Sequence, residues 1–182
     1  MKLKLLILVL TMQSAWLLGT VIRQEGILRV GKLVLLETQP MDPRDPLRGD
    51  FVRLNYKISN IPRDKFSPPL NVDLAAGTKV YAALAPAGTN GFWEVTRAAL
   101  KPLTPAENEI LLRGKSESSW HIPSGSVHIE YGIEQYYVAE GTGNPRGKLT
   151  AQVAVASSGR ATIKEVFIDG QPYAAVMKRT DR

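Results

Sequence analysis

Two segments of the chain concentrate side chains that could bind or convert a ligand. The first segment spans residues 42–50, where Pro43 and Pro46 hold the preceding residues in extended geometry and stiffen the loop. Its arginines could bind a carboxylate or phosphate through paired hydrogen bonds. The alternative, which we favour, is that its charges pair with one another and serve the structure. The candidate binding residues here are Arg44, Asp45, Arg48 and Asp50.

The second segment spans residues 131–141 and holds three of the six tyrosines beside two glutamates. Tyrosine hydroxyls and carboxylates suit hydrogen bonding to a polar ligand, or a carboxylate pair that acts as general acid and base. Packing of aromatic rings around a turn is the commoner outcome, and we prefer it. The candidate binding residues, which include one tyrosine that follows the first segment, are Tyr131, Glu134, Tyr137, Glu140 and Tyr56.

The two histidines are weak candidates for metal ligands. His128 and Glu130 would point to one face of a strand, but a zinc site would also need the distant His121 to converge on them. The sequence contains no cysteine, which removes thiolate nucleophiles and cysteine-bound metals. We therefore expect hydrogen-bonded or solvated histidines, no metal site and no cofactor.

The net charge of +6 does not predict a nucleic-acid partner, because of where the basic residues lie. Five Lys and Arg residues and one Glu fall before residue 33, around an apolar segment, and the rest of the chain is nearly balanced, with 18 basic and 16 acidic side chains. A nucleic-acid binder places positive charge on its folded domain, where it neutralises phosphates. We expect no nucleic-acid binding.

The candidate segments follow an apolar helix at the N-terminus. Residues 5–22 carry no charge, with Lys2 and Lys4 before them and Arg23 after them, and such a helix spans roughly 27 Å of hydrocarbon. A cleaved signal peptide would have a shorter apolar run and a clear small-x-small exit. We therefore predict an uncleaved anchor in the lipid bilayer, with a helix stop at Gly31. Basic residues flank both ends, so charge alone does not set the orientation.

The remainder of the chain shows the twofold alternation of half-buried strands, separated by clusters of Pro, Gly and Asn. This pattern predicts a mainly β class, an antiparallel sandwich or partly open barrel preceded by one N-terminal transmembrane helix. The predicted units are residues 1–31, an anchor with a juxtamembrane extension, and residues 32–182, a β-rich extracytoplasmic domain. The predicted strands cover residues 32–38, 52–58, 78–84, 92–100, 109–114, 126–131, 149–156 and 161–168, with a hairpin loop at 157–160 and either a helical turn or a strand at 132–139.

Two sequence blocks resemble a known family. Residues 49–51, Gly-Asp-Phe, followed by Leu54 and Tyr56, resemble the signature of the GDYXXLXY family, bacterial proteins with one membrane anchor. Residues 131–134, Tyr-Gly-Ile-Glu, are similar to its second block. Phe51 stands where the family name has tyrosine. The resemblance implies a single-pass protein of the bacterial inner (cytoplasmic) membrane, with its C-terminal domain outside the cytoplasm and a multi-span membrane protein as partner.

One further resemblance concerns a protease. Residues 46–52 are similar to a box of type I signal peptidases, which are membrane-tethered Ser-Lys proteases. Those enzymes need a serine nucleophile just after the anchor, and the sequence has no serine between Ser14 and Ser59. Any kinship is therefore limited to the fold, which does not confer activity.

The sequence is compatible with three functions. The first, which we favour, is a non-enzymatic interaction or accessory module for another membrane protein. The second is an envelope hydrolase that uses carboxylates such as Asp50, Glu134 and Glu140; it predicts that the two glutamates line one pocket and that at least one has a pKa raised by burial. The third is an anion or small-ligand sensor built on Arg44 and Arg48.

Overall fold

The computed structural model describes residues 2–39, 51–117, 125–138 and 147–180. Within these ranges the chain forms two helices, α1 (Lys2–Val30) and α2 (Tyr173–Thr180). The strands are β1 (Lys32–Gln39), β2 (Phe51–Arg53), β3 (Asn55–Tyr56), β4 (Asn60–Pro62), β5 (Lys79–Ala87), β6 (Phe92–Ala99), β7 (Ile110–Glu117), β8 (Ser126–Glu130), β9 (Gln135–Tyr137), β10 (Leu149–Val155), β11 (Ala161–Ile168) and β12 (Gln171–Pro172). The predicted site residues outside the described ranges are Arg44, Asp45, Arg48, Asp50 and Glu140, together with His121.

Ten of these strands form one mixed sheet. Its order is β12-β11-β10-β1-β6-β5-β7-β8-β4, and β3 also pairs with β1. The pairs are antiparallel except for β1 with β6, which run parallel and meet at Leu35 and Phe92. Strands β2 and β9 pair antiparallel in a separate ribbon. Strand β1 is therefore the strand that joins the two halves of the large sheet.

One face of the large sheet packs into a single core. Strands near opposite ends of the sheet, β11 and β4, contribute Val166 and Ile61 to the same cluster, so the sheet curls around it. The sheet is not closed into a barrel. The hairpin between β10 and β11 reaches across to β7, where the Arg113 N–H donates to the Gly159 carbonyl at 2.8 Å. The predicted mainly β class with one long N-terminal apolar helix is confirmed.

A single residue, Gly31, connects helix α1 to the sheet. Its most apolar window is 0% buried, and the helix is long and apolar enough to span a membrane. Its last turn packs against β10 and β11, with Ile27 and Leu28 half-buried. The Gly31 N–H donates to the Ile27 carbonyl at 2.8 Å, and β1 begins at the next residue. The predicted helix stop is confirmed, and the junction leaves no flexible linker between helix and sheet.

Three local predictions differ from the structure. The strand predicted at residues 52–58 is divided into β2, β3 and a 3₁₀ turn (Lys57–Ser59), because the chain leaves the ribbon, pairs with β1 and then turns towards β4. At residues 132–139 a strand forms rather than a helical turn, but it is the short separate strand β9 and not a continuation of the strand from Val127, which ends at Glu130. Helix α2 was not predicted, although Tyr173 and Met177, four residues apart, anchor it in the core.

The junction at Gly31 generates the first prediction. A Cβ at Gly31 would collide with the Ile27 carbonyl oxygen and would also press on the Val155 nitrogen at 3.1 Å. We expect Gly31→Ala to destabilise the folded protein by about 1–3 kcal/mol, because neither backbone group can move freely. Gly26→Ala is the control, since a Cβ at Gly26 meets nothing within 4 Å. Thermal unfolding of the full-length chain in detergent, followed by tryptophan fluorescence, compares the two, and equal melting temperatures would contradict the packed junction.

Candidate functional site

The described parts of the two candidate segments lie side by side. In the β2–β9 ribbon, Phe51 pairs with Tyr137 and Arg53 pairs with Gln135. The next backbone contact continues this pairing, because the Leu54 N–H donates to the Glu134 carbonyl at 2.7 Å. The fold therefore brings the strand that follows the first segment against the start of the second segment.

Two buried tyrosines hold the two segments together through hydrogen bonds in the core. The Tyr56 hydroxyl donates to the Ile133 carbonyl at 2.8 Å, and the Tyr131 hydroxyl donates to the Ile58 carbonyl at 2.9 Å. The side chains are 0% and 7% exposed, respectively. We call these two reciprocal hydrogen bonds, made by Tyr56, Ile58, Tyr131 and Ile133, the tyrosine latch. It ties two chain segments that are more than 70 residues apart.

Burial keeps the latch hydroxyls protonated. It raises the pKa of Tyr56 and of Tyr131 well above the usual range for tyrosine, and the nearby Glu134 carboxylate adds to both increases. Both hydroxyls are thus fixed as donors to backbone carbonyls. The structure places these two predicted binding residues in structural hydrogen bonds rather than at an exposed surface.

Glu134 holds the turn between the latch and β9. Its carboxylate oxygens accept the Tyr131 N–H at 2.5 Å and the Gly132 N–H at 2.8 Å. Gly132 has φ +81°, a conformation that a residue with a side chain rarely adopts. Both Glu134 oxygens are therefore engaged by the backbone of the turn, as in a carboxylate cap.

Tyr137 differs from the other predicted residues that the structure describes. Its side chain is 75% exposed, and its hydroxyl donates to the Gln135 side-chain oxygen at 3.1 Å. Of the predicted binding residues within the described ranges, Tyr56, Tyr131 and Glu134 serve the turn and the latch, whereas Tyr137 presents its ring at the surface of the ribbon.

A group of charged side chains lies next to this turn, and only two of its members, His128 and Glu130, were paired in the sequence analysis. We call it the carboxylate cluster, and it consists of Glu117, His128, Glu130 and Arg53. Glu117 stands directly opposite His128 in the β7–β8 pairing, and Glu117 Oε2 lies 3.8 Å from His128 Nε2. Arg53 reaches from the ribbon to within 3.9 Å of Glu130. The strand spacing already placed His128 and Glu130 on one face, but Glu117 and Arg53 join them through contacts between strands, which spacing along the sequence did not reveal.

Burial and neighbouring charges within the carboxylate cluster shift the pKa values of Glu130 and His128. Burial raises the pKa of Glu130, and the Glu117 and Glu134 carboxylates raise it further, while Arg53 opposes the shift. Burial also lowers the pKa of His128, so the imidazole is neutral at pH 7. His128 Nδ1 lies 2.8 Å from the Asn60 side-chain oxygen, which favours the proton on Nδ1 and leaves Nε2 facing Glu117.

The hydrolase hypothesis, which places Glu134 and Glu140 in one pocket, stays a prediction. The carboxyl group whose pKa is raised by burial within the described ranges is that of Glu130, which the hypothesis did not include. Glu134 caps a turn, and Glu140 lies outside the described residues. Across the described ranges, no three histidine or carboxylate side chains converge on a metal-binding geometry.

These features define a class of protein, a mainly β domain carried on one long N-terminal apolar helix. The sequence model of the GDYXXLXY protein family matches residues 13–166. The chain belongs to that family. No curated protein and no solved structure matches the chain.

The latch generates the second prediction. Tyr56→Phe and Tyr131→Phe each leave a buried carbonyl without its donor, so each should lower the free energy of unfolding by about 1–2 kcal/mol. Tyr137→Phe is the control and should change it by less than about 0.5 kcal/mol, because this ring is exposed. Urea unfolding of the full-length chain in detergent measures all three. Unchanged stability in both latch variants would show that these hydroxyls have another role.

The carboxylate cluster generates a pH-dependent prediction. The folded-state pKa of Glu130 is raised, so its protonated form stabilises the fold at low pH, and this stabilisation is lost as pH rises through the raised pKa. Gln resembles the protonated form, so Glu130→Gln should raise the melting temperature by about 2 °C at pH 7.5 and leave it unchanged near pH 4.

Glu165→Gln is the control for this prediction, because Glu165 lies on β11 outside the carboxylate cluster. Melting curves at the two pH values should show no pH-dependent gain for this variant. A Glu130→Gln variant that loses stability at pH 7.5 would mean that the Arg53 contact outweighs the repulsion among the carboxylates.

Proposed function

We propose that this protein is a single-pass membrane-anchored module of the bacterial envelope. Helix α1 is the anchor, and the β domain lies on the extracytoplasmic side of the inner membrane. Its role is to interact with another, multi-span membrane protein rather than to catalyse a reaction. The observation that carries the proposal is that α1 leaves its apolar length exposed and continues into the central strand of the domain through Gly31 alone.

The apolar surface of α1 supports the anchor. Within the described ranges the domain covers only its last turn, so the side chains of residues 3–22 need lipid or another membrane segment around them. The helix has 29 residues and is about 43 Å long, enough to cross the hydrocarbon and still contact the sheet. A signal peptide that is removed would have no reason to pack its last turn on β10 and β11.

The state of the candidate residues supports an interaction role. Tyr56, Tyr131 and Glu134 satisfy the backbone of their own chain and offer little to a ligand. Exposed Tyr137, by contrast, has the amphipathic ring that protein interfaces favour. The family's name-giving Leu54 and Tyr56 are fully buried, so in this chain they support the fold that presents such a surface.

The carboxylate cluster favours a second candidate, a carboxylate-dependent hydrolase. A carboxyl with a raised pKa beside a second carboxylate and a neutral imidazole is an arrangement that acid-base enzymes use. Structural clusters perturb pKa values as well, so this candidate ranks below the interaction module. The anion-sensor hypothesis on Arg44 and Arg48 stays a prediction, because both residues lie outside the described ranges.

Co-purification tests the proposal. The full-length chain is cross-linked in its native cells, extracted in mild detergent and analysed by mass spectrometry. We expect a multi-span membrane protein at near-stoichiometric yield, cross-linked through the domain or α1. Recovery of the protein alone, with cross-linking controls that work, would reject a stable partner and would direct attention to hydrolase and ligand screens.

The side of the membrane on which the β domain lies is tested in the same cells. Since the sequence has no cysteine, a single Ser158→Cys substitution at the exposed hairpin tip creates one labelling site. A membrane-impermeant maleimide should label this site in intact spheroplasts, and Lys4→Cys should be labelled only after lysis. The reverse pattern would place the domain in the cytoplasm.

A further inference from the structure

The junction between α1 and the sheet carries an excess of basic side chains. Residues 23–35 contain three basic residues and one acidic residue. Arg29 pairs with Glu25 at 2.8 Å, but both side chains are more than half exposed, so the pair is weak and leaves the Arg29 guanidinium within reach of another anion. The Lys32 ammonium lies over the Trp93 ring, 5.0 Å from its centre, and this contact holds the charge in place. The junction is therefore a positively charged surface.

The two hairpin loops nearest to the junction add no acidic side chain. Lys32 pairs with Val155, the last residue of β10, so the loop 156–160 lies beside the start of β1. The loop 88–91 lies at the same end of β1, because β6 runs parallel to β1 and begins opposite its first half. Neither loop contains Asp or Glu, and the first loop ends in exposed Arg160. The positive charge thus extends from α1 onto the adjoining end of the sheet.

Two large apolar side chains are exposed among these charges. Val30 is 87% exposed and Leu33 is 40% exposed, and both lie beyond the uncharged segment, which ends at Ile22. Basic and apolar side chains exposed together are typical of protein segments that bind at the surface of a bilayer, where the headgroup layer accepts both kinds. The composition of the junction therefore suits contact with lipid.

The height of the junction matches the headgroup layer. With the midpoint of residues 5–22 at the bilayer centre, Arg29 is about 23 Å from that centre along an upright helix. Half of a bilayer, headgroups included, is about 20–22 Å thick, and the long side chains of Arg and Lys bridge the remaining gap. Around the helix axis Arg23 and Arg29 are about 120° apart. A lipid layer that surrounds the helix matches this spread of charge better than a ligand on one side.

We propose that the end of the domain next to α1 binds the headgroups of anionic phospholipids. The residues that bind them, which we call the juxtamembrane collar, are Arg23, Arg29, Val30, Lys32, Leu33 and Arg160. Lipids with a net negative headgroup are preferred over zwitterionic ones, because their phosphate has no cation of its own to neutralise it. This inference rests on the membrane anchor of the proposed function and deepens it, because it names the class of lipid that the anchored domain binds.

Native mass spectrometry of the full-length chain released from nanodiscs tests the lipid preference. The nanodiscs contain equal amounts of phosphatidylglycerol, which is anionic, and phosphatidylcholine, which is zwitterionic. We expect the lipids that stay bound to be enriched at least about fivefold in phosphatidylglycerol, the effect of roughly one basic residue beside an anionic surface. Equal binding of the two lipids would overturn the proposal.

Two matched triple variants assign the preference to the juxtamembrane collar. The collar variant combines Arg29→Gln, Lys32→Gln and Arg160→Gln, and Arg23 is kept so that the apolar span retains its charged end. The control variant replaces three exposed lysines outside α1, the junction and the two loops, and combines Lys79→Gln, Lys101→Gln and Lys115→Gln. The collar variant should reduce the enrichment to less than about twofold, and the control variant should keep the wild-type value. A folded collar variant with full enrichment would overturn the proposal.

Single substitutions keep the test decisive if the triple collar variant does not fold. Arg29 and Arg160 are exposed, so Arg29→Gln and Arg160→Gln should leave the melting temperature unchanged. Each should lower the phosphatidylglycerol enrichment about twofold, because each removes one charge from the collar. Wild-type enrichment in both single variants would contradict the role of the collar.

The failure of this inference is distinguishable from the failure of the proposed function. If alkaline carbonate extracts the wild-type chain from its native membranes, the anchor is wrong and both proposals fail. A chain that resists extraction but shows no lipid preference keeps its anchor, and then only the juxtamembrane collar is rejected.

Discussion

The position of β1 is the constraint on which the rest of the structure depends. This strand follows α1 directly and pairs with β10, β3 and β6, so it is shared by both halves of the large sheet. Because only Gly31 separates helix from strand, the long apolar helix and the centre of the sheet form one continuous unit. The last turn of α1 against β10 and β11 completes this joint. A reorientation of the domain on the helix would break the Gly31–Ile27 hydrogen bond and the packing of the last turn of α1 on β10 and β11.

The tyrosine latch shows what the family signature residues do in this chain, which is to hold the fold together. Leu54 and Tyr56 are the leucine and last tyrosine of the signature, and both are buried where the chain passes from the ribbon to the large sheet. Tyr56 holds the second block through the Ile133 carbonyl, and Tyr131 in that block holds the first through Ile58. The two sequence blocks of the family are thus joined by two reciprocal hydrogen bonds. The carboxylate cluster and the exposed ring of Tyr137 lie beside this latch.

Much of the fold could be predicted from the sequence, because alternating burial sets side-chain direction. Val52, Leu54, Tyr56 and Ile58 are all buried as the alternation implies, yet the chain is not one strand there, since alternation does not tell which strand provides the hydrogen bonds. The candidate site was harder to predict, because alternation along one strand does not tell which distant segments lie against each other. The latch and the carboxylate cluster depend on contacts between distant segments, which residue types and local spacing do not encode. The short α2 has only two core side chains, too few for a clear helical period.

The length of the uncharged segment in α1 has a consequence for how the domain stands on a membrane. Eighteen residues span roughly 27 Å, slightly less than the hydrocarbon thickness of about 30 Å, so the helix has no surplus length to absorb by tilting. In a bilayer of that thickness such a helix would stand close to upright, with the lipid thinned locally around it. Because the junction at Gly31 is packed, the domain would then keep a fixed height and orientation relative to the lipid surface. A change in membrane thickness would displace the β sheet as a rigid body.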